Sequence, residues 1–146
     1  MTGITWTQRL SVGIGFIDND HQELVRLLYT VEQYARRNQL DRMSEALLEF
    51  RRFAGEHFAR EEAAMREHGY RLLDQHTRFH RALLEELDDV CARVERSETP
   101  ASTLSEFLSE WLLDHILESD KHLGGFLEGR QESGNTTRSS DSTPTS

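Results

Sequence analysis

The chain is short of the residues that interrupt or cross-link a structure. Its 146 residues include two prolines, Pro100 and Pro144, and one cysteine, Cys91. A single cysteine excludes an internal disulfide and fits a reducing compartment, with Cys91 expected as a small buried apolar residue. Positive charge is scarce as well: 17 Lys and Arg face 26 Asp and Glu, for a net charge of -9. That balance argues against a general nucleic-acid binder, which needs a basic patch to neutralise phosphates. No apolar run is long enough to span a bilayer. No basic segment followed by an apolar stretch marks a signal peptide. A cytoplasmic protein without membrane attachment is therefore expected.

What the chain does contain is apolar residues at helical spacing, in Pro-free stretches rich in Leu, Glu, Arg and Ala. Residues 1–17 read as an ordered, non-helical arm carrying Trp6, Val12, Ile14 and Phe16. Asp18 is a candidate N-cap for a first helix ending near Asn38, and Asp41 a candidate cap for a second. The break at 66–71 contains Gly69, and the next, Ser97 to Ser102, contains Pro100. A fourth helix should weaken near Ser119, with a short last helix reaching about Leu127. Short connections imply antiparallel neighbours. The predicted fold is all-α: an up-down-up-down four-helix bundle with an N-terminal arm and a short C-terminal helix. It would occupy residues 1–130. Residues 131–146, rich in Ser and Thr, lack the apolar surface needed to offset ordering entropy and are expected to be a disordered polar tail.

The chemistry shows in polar residues on the apolar stripes. His21, His57, Glu61, His76, His80 and His115 all fall where a helix faces its core. One such histidine is ordinarily a satisfied core residue. Six buried together without partners would unfold a domain of this size. His21 and the pair His76/His80 lie near the starts of odd helices; His57/Glu61 and His115 lie near the ends of even ones. In an antiparallel bundle these ends coincide, so the groups meet in one layer. Asp120, five residues after His115, can turn back to the same layer. Five imidazoles and two carboxylates are too many for one metal ion and suit two. Imidazole favours zinc, copper, iron or nickel, bridging carboxylates favour iron or manganese, and the lack of thiolates argues against structural zinc. If both carboxylates bridge and an oxide or hydroxide joins them, about eleven of twelve octahedral positions are filled. One remains for a small ligand. His68 and His122 read as exposed or supporting groups.

The pattern resembles the hemerythrin family, specifically its bacterial single-domain members. It is carried by Asp18-Asn19-Asp20-His21, His57-Phe58-Ala59-Arg60-Glu61-Glu62 with Met65, and Gly69-Tyr70. His76-x-x-x-His80 and Trp111-Leu112-x-x-His115-Ile116-x-x-x-Asp120-Lys121 complete it, over about Ile4 to Leu127. The resemblance implies two non-haem irons, with His76, His80 and His115 on one and His21 and His57 on the other. Glu61, Asp120 and an oxo or hydroxo group would bridge them. It further implies reversible dioxygen binding on the second iron, in a dry pocket formed by Phe58, Trp111 and Leu112, for oxygen carriage, storage or supply rather than catalysis. The runners-up are a sensor acting through a separate protein partner and an enzyme removing peroxide or nitric oxide. Asp20 and Arg71 depart from the family pattern, where an amide and a proline are expected. The absence of Glu-x-x-His sets the chain apart from the ferritin-like di-iron class, and that of His-Glu-x-x-His from metalloproteases.

Overall fold

The computed structural model describes residues 5–98 and 100–129, without the side chains at 101, 102 and 116–118. The segment 131–146, expected as a tail, lies outside the described residues. Every regular element among the described residues is helical. The main helices are α1 (Gly15–Arg36), α2 (Leu40–His68), α3 (Leu73–Glu95) and α4 (Ala101–Asp114). A π-helical segment, His115–Asp120, follows directly and runs into α5, residues 121–129. α1 packs against α2 and α4, and α2 against α3. α3 reaches α4 where the Trp111 indole N–H donates to the Leu83 carbonyl at 3.1 Å.

The helix starts differ from expectation. α1 begins at Gly15, three residues before Asp18, and α2 at Leu40, so Asp18 and Asp41 sit in first turns instead of capping. A carboxylate there still meets the positive end of the helix dipole. Asp18 is also tied to the arm: Ser11 Oγ donates to its Oδ2 at 2.6 Å and the Val12 N–H to its Oδ1 at 2.8 Å. The arm is not wholly irregular, because Gln8–Leu10 forms one 3-10 turn.

The helix ends follow one rule. α1, α2 and α3 each stop at a left-handed residue: Asn38 (φ 56°), Gly69 (φ 68°) and Ser97 (φ 58°). The next residue then donates five positions back: Gln39 N–H to Tyr34 O, Tyr70 N–H to Met65 O, and Glu98 N–H to Arg93 O. This closure satisfies carbonyls that the helix leaves open. Glycine enters the conformation freely, whereas Ser97 pays a steric penalty.

Apolar packing divides into two clusters. The larger joins Leu24 and Leu28 of α1, Leu47, Phe50 and Phe58 of α2, Leu83 and Leu87 of α3, and Leu108, Trp111 and Leu112 of α4. The smaller joins Val12, Ile14, Ile17, Met65, Tyr70, Leu123 and Leu127. Gly124 makes the second cluster possible, since a Cβ there would meet the Val12 carbonyl oxygen at 2.3 Å. Along each chain segment the polar residues fall between the two: Ile17–His21–Leu24 on α1, Phe58–Glu61–Met65 on α2, Leu112–His115–Asp120–Leu123 at the end of α4. One polar layer therefore lies between two apolar ones.

Candidate metal centre

Local helix geometry assembles the layer. His57/Glu61 and His76/His80 are four residues apart, which stacks each pair on one helix face. His115 and Asp120 are five apart, and on an α-helix they would diverge by about 140°. The π-helical turn across His115–Asp120 absorbs the extra residue. It brings Asp120 Oδ2 to 2.7 Å from His115 Nε2.

All seven expected residues converge, and all are buried; His21, His57, Glu61, His115 and Asp120 have no accessible surface. Asp120 Oδ2 lies 2.6 Å from His21 Nε2 and 3.2 Å from His57 Nε2, while its Oδ1 faces His76 Nε2 at 3.5 Å. Glu61 divides in the same way. Its Oε2 lies 3.2 Å from His57 Nε2, and its Oε1 lies 3.0 Å from His80 Nε2 and 3.8 Å from His76 Nε2. The donors form two groups, each with ligand atoms within 4.8 Å: His21, His57, His115 with both carboxylates, and His76, His80 with both carboxylates. Glu61 and Asp120 belong to both. His115 falls with His21 and His57 here, whereas the family resemblance allots it to His76 and His80. Its ring centroid lies 5.3 Å from that of His57 and 5.5 Å from that of His80, between the two sides.

The electrostatics are those of donors turned inward. Burial, together with the charge of Asp120, raises the Glu61 carboxyl to about 7. Burial also pushes Asp120 up, but His115 and the hydrogen bonds it accepts outweigh this and hold it well below the usual range. Burial lowers His21, lowers His115 to about 4 and, with His115 and His76 as like-charged neighbours, lowers His80 to about 2. For His57 and His76 burial is overcome by the surrounding carboxylates, so His57 is raised well above its ordinary value and His76 to about 9. Several groups still lack partners. Glu61 Oε1 and Oε2, His80 Nε2 and Asp120 Oδ1 are buried without a hydrogen bond. His57 Nε2 faces His115 Nε2 at 3.1 Å, where at most one ring can donate. Cations would answer both problems: they would engage the carboxylate oxygens and accept the ring lone pairs while every imidazole stays neutral. The donor set, nitrogen and oxygen without sulfur, fits such ions.

Of the expected pocket residues, Phe58 and Trp111 border the layer. Phe58 stacks on His80 with centroids 4.0 Å apart and meets His115 edge-on at 4.8 Å. Trp111 lies 6.4 Å from His115. Leu112 is fully buried in the same apolar cluster. His68 and His122 stand outside both groups, and the phenol of Tyr70 lies 2.8 Å from His122 Nδ1. Sequence reasoning missed the supporting residues. Asp20 Oδ2 lies 3.0 Å from His57 Nδ1, Glu62 Oε2 lies 2.8 Å from His80 Nδ1, and Ser119 Oγ lies 3.3 Å from His76 Nε2. The available signal was adjacency, since Asp20, Glu62 and Ser119 each precede or follow a candidate ligand in the chain.

Fold and site together define a helical domain with a buried layer of histidine and carboxylate donors in two groups, each able to hold a metal ion. The pattern of the hemerythrin HHE cation binding domain matches residues 12–127, and the chain belongs to the hemerythrin family. It is 28% identical over 142 residues to a bacteriohemerythrin of Stenotrophomonas maltophilia, covering 92% of this chain and 93% of that one. To a bacteriohemerythrin of Pseudomonas paraeruginosa it is 27% identical over 120 residues, covering 82% and 78%. Among solved structures, a wild-type hemerythrin crystal structure superposes with a TM-score of 0.76 at 24% identity, covering 84% of this chain and 95% of that one. No helix among the described residues is long and apolar enough to cross a membrane.

Proposed function

We propose that this protein binds dioxygen reversibly at a pair of non-haem irons held by His21, His57, Glu61, His76, His80, His115 and Asp120. The carrying observation is the division of the two carboxylates: each offers one oxygen to the His21/His57 side and the other to the His76/His80 side. Carboxylates so placed, with an oxo or hydroxo group, would bridge two ions. Imidazoles with bridging carboxylates suit iron better than a hard oxygen-only ion. When bound, the irons supply the electrons that dioxygen takes up reversibly.

The chain's own residues do the rest. Five imidazoles divide three and two, so one side has a protein donor fewer and room for a small ligand. Following the family pattern we assign His115 to the side of His76 and His80, which leaves that room beside His21 and His57. Phe58, Trp111 and Leu112 close the layer on the side of the larger apolar cluster and exclude water. A dry surround disfavours escape of charged oxygen species. The four long helices, in this reading, run up-down-up-down as a bundle within a domain of residues 1–130. Such a protein carries, stores or supplies oxygen in the cytoplasm and is not an enzyme.

The test is a metal count joined to a reversibility cycle. The purified chain should hold two irons. The reduced form should colour under oxygen and bleach under vacuum over repeated cycles. Zinc alone, or no metal, would remove the proposal; colour lost irreversibly, with turnover of added peroxide, would replace binding by catalysis.

A further inference from the structure

Two imidazoles of the layer are held from behind by carboxylates. The pairs are His57 with Asp20 and His80 with Glu62, both through Nδ1. A neutral ring that donates its Nδ1–H keeps the lone pair on Nε2. In both rings Nε2 is the atom that faces Glu61. His21 Nδ1 and His115 Nδ1, by contrast, are buried without a partner. Within the group His21, His57 and His115, control from behind therefore runs through His57.

Asp20 is itself gripped. Arg60 Nε donates to Oδ2 at 2.9 Å and Arg60 Nη2 to Oδ1 at 3.1 Å. Oδ2 thus serves His57 and Arg60 at once. Asp20 is buried, whereas the Arg60 side chain is 43% exposed. The guanidinium also lies over the Phe53 ring, 5.2 Å from its centroid, which helps fix its place.

We propose that Asp20 and Arg60 are opposed positioning residues that tune how strongly His57 donates to a metal ion. Asp20 raises the donation. A carboxylate accepting the Nδ1–H draws on that proton, enriches Nε2 and favours an ion of higher charge. Arg60 lowers it by withdrawing from the shared oxygen and adding positive charge nearby. The family pattern leads one to expect an amide at position 20, a neutral and weaker acceptor. This chain carries instead a stronger acceptor together with a cation that tempers it.

The inference rests on the reading that the seven side chains hold metal. Its test compares Asp20→Asn and Arg60→Gln in the full chain by two readouts. One is cobalt(II) affinity, from competition with a coloured chelator. The other is the midpoint potential of the iron-loaded protein, titrated with soluble mediators that supply or take the electron. Asp20→Asn should weaken cobalt binding about tenfold and shift the potential upward. Arg60→Gln should shift the potential downward without weakening cobalt binding. Two variants that merely loosened the site would move together, so shifts of like sign, or none, overturn the proposal. A wild-type chain that takes up neither metal overturns the metal-pair reading and this inference with it. A loaded wild type with like-signed shifts sinks the tuning alone.

Discussion

Stripping metal from this protein should remove much of its stability. Four buried side-chain atoms that face into the layer have no hydrogen-bond partner: both oxygens of Glu61, His80 Nε2 and Asp120 Oδ1. A buried polar group left unsatisfied costs about 1–3 kcal/mol, so the set amounts to about 4–12 kcal/mol. Close contacts such as His80 Nε2 to Glu61 Oε1 at 3.0 Å recover part of this, which favours the lower end. Even about 4 kcal/mol is a large share of the whole stability of an ordinary domain, about 5–15 kcal/mol. With a urea slope of about 2 kcal/mol per molar, the metal-free midpoint should fall by about 2 M. The assay is urea unfolding followed by far-ultraviolet circular dichroism, on chelator-treated protein and on protein loaded anaerobically with iron(II). Midpoints that agree within experimental error would refute the reasoning, because the layer would then be satisfied without ions.

Three further outcomes follow from single positions. Gly124→Ala sets a Cβ against the Val12 carbonyl at 2.3 Å, so the arm must move; a loss of about 1–3 kcal/mol in chemical unfolding is expected, with faster proteolysis before residue 15. Ser97→Gly should gain about 1 kcal/mol, since Ser97 holds a left-handed φ of 58° that glycine adopts freely, and an unchanged thermal midpoint would contradict this. Cys91 is buried and its thiol is raised to about 11 by burial and by the charge of Asp88. At pH 8 about one thiol in a thousand is then ionised, so alkylation should be far slower in the folded chain than in urea, and equal rates would refute the burial argument.

Much of the site was legible because helical periodicity is a strong signal and buried charge is costly. His57/Glu61 and His76/His80 announce themselves as polar pairs on apolar stripes, and the antiparallel expectation brings them to one level. Asp120 was legible only as a residue able to turn back. The π-helical turn that carries it cannot be read from spacing, because its stability comes from what His115 and Asp120 meet across the layer. The helix starts were misplaced for a related reason. Asp18 has the chemistry of a cap, yet its oxygens are taken by Ser11 and Val12 of the arm, an interaction fixed by tertiary packing. Asp20 and Arg60 stayed hidden because a lone carboxylate and a lone guanidinium on a helix read as solvated charges until a buried imidazole is found beside them.

The sandwiching of the polar layer has a consequence for how the protein loosens. The larger apolar cluster draws on all four main helices and can cohere without the layer. The smaller one consists of the last arm residues, the start of α1, the end of α2 and α5; His21, Glu61, His115 and Asp120 lie between it and the larger cluster along the helices, and only Trp6 and Leu10 of the described arm pack on the larger one directly. With metal bound, these side chains would clamp the two together. Without it, unsatisfied carboxylates and imidazoles attract water, and local opening at that end becomes cheaper than global unfolding. Amide hydrogen exchange should therefore respond unevenly to metal removal. Protection at residues 121–127 and in the first turns of α1 should fall by orders of magnitude, while Leu47, Phe50 and Leu87 exchange only as fast as the lowered global stability allows. A uniform loss across both clusters would show one cooperative unit, with no clamp between its parts.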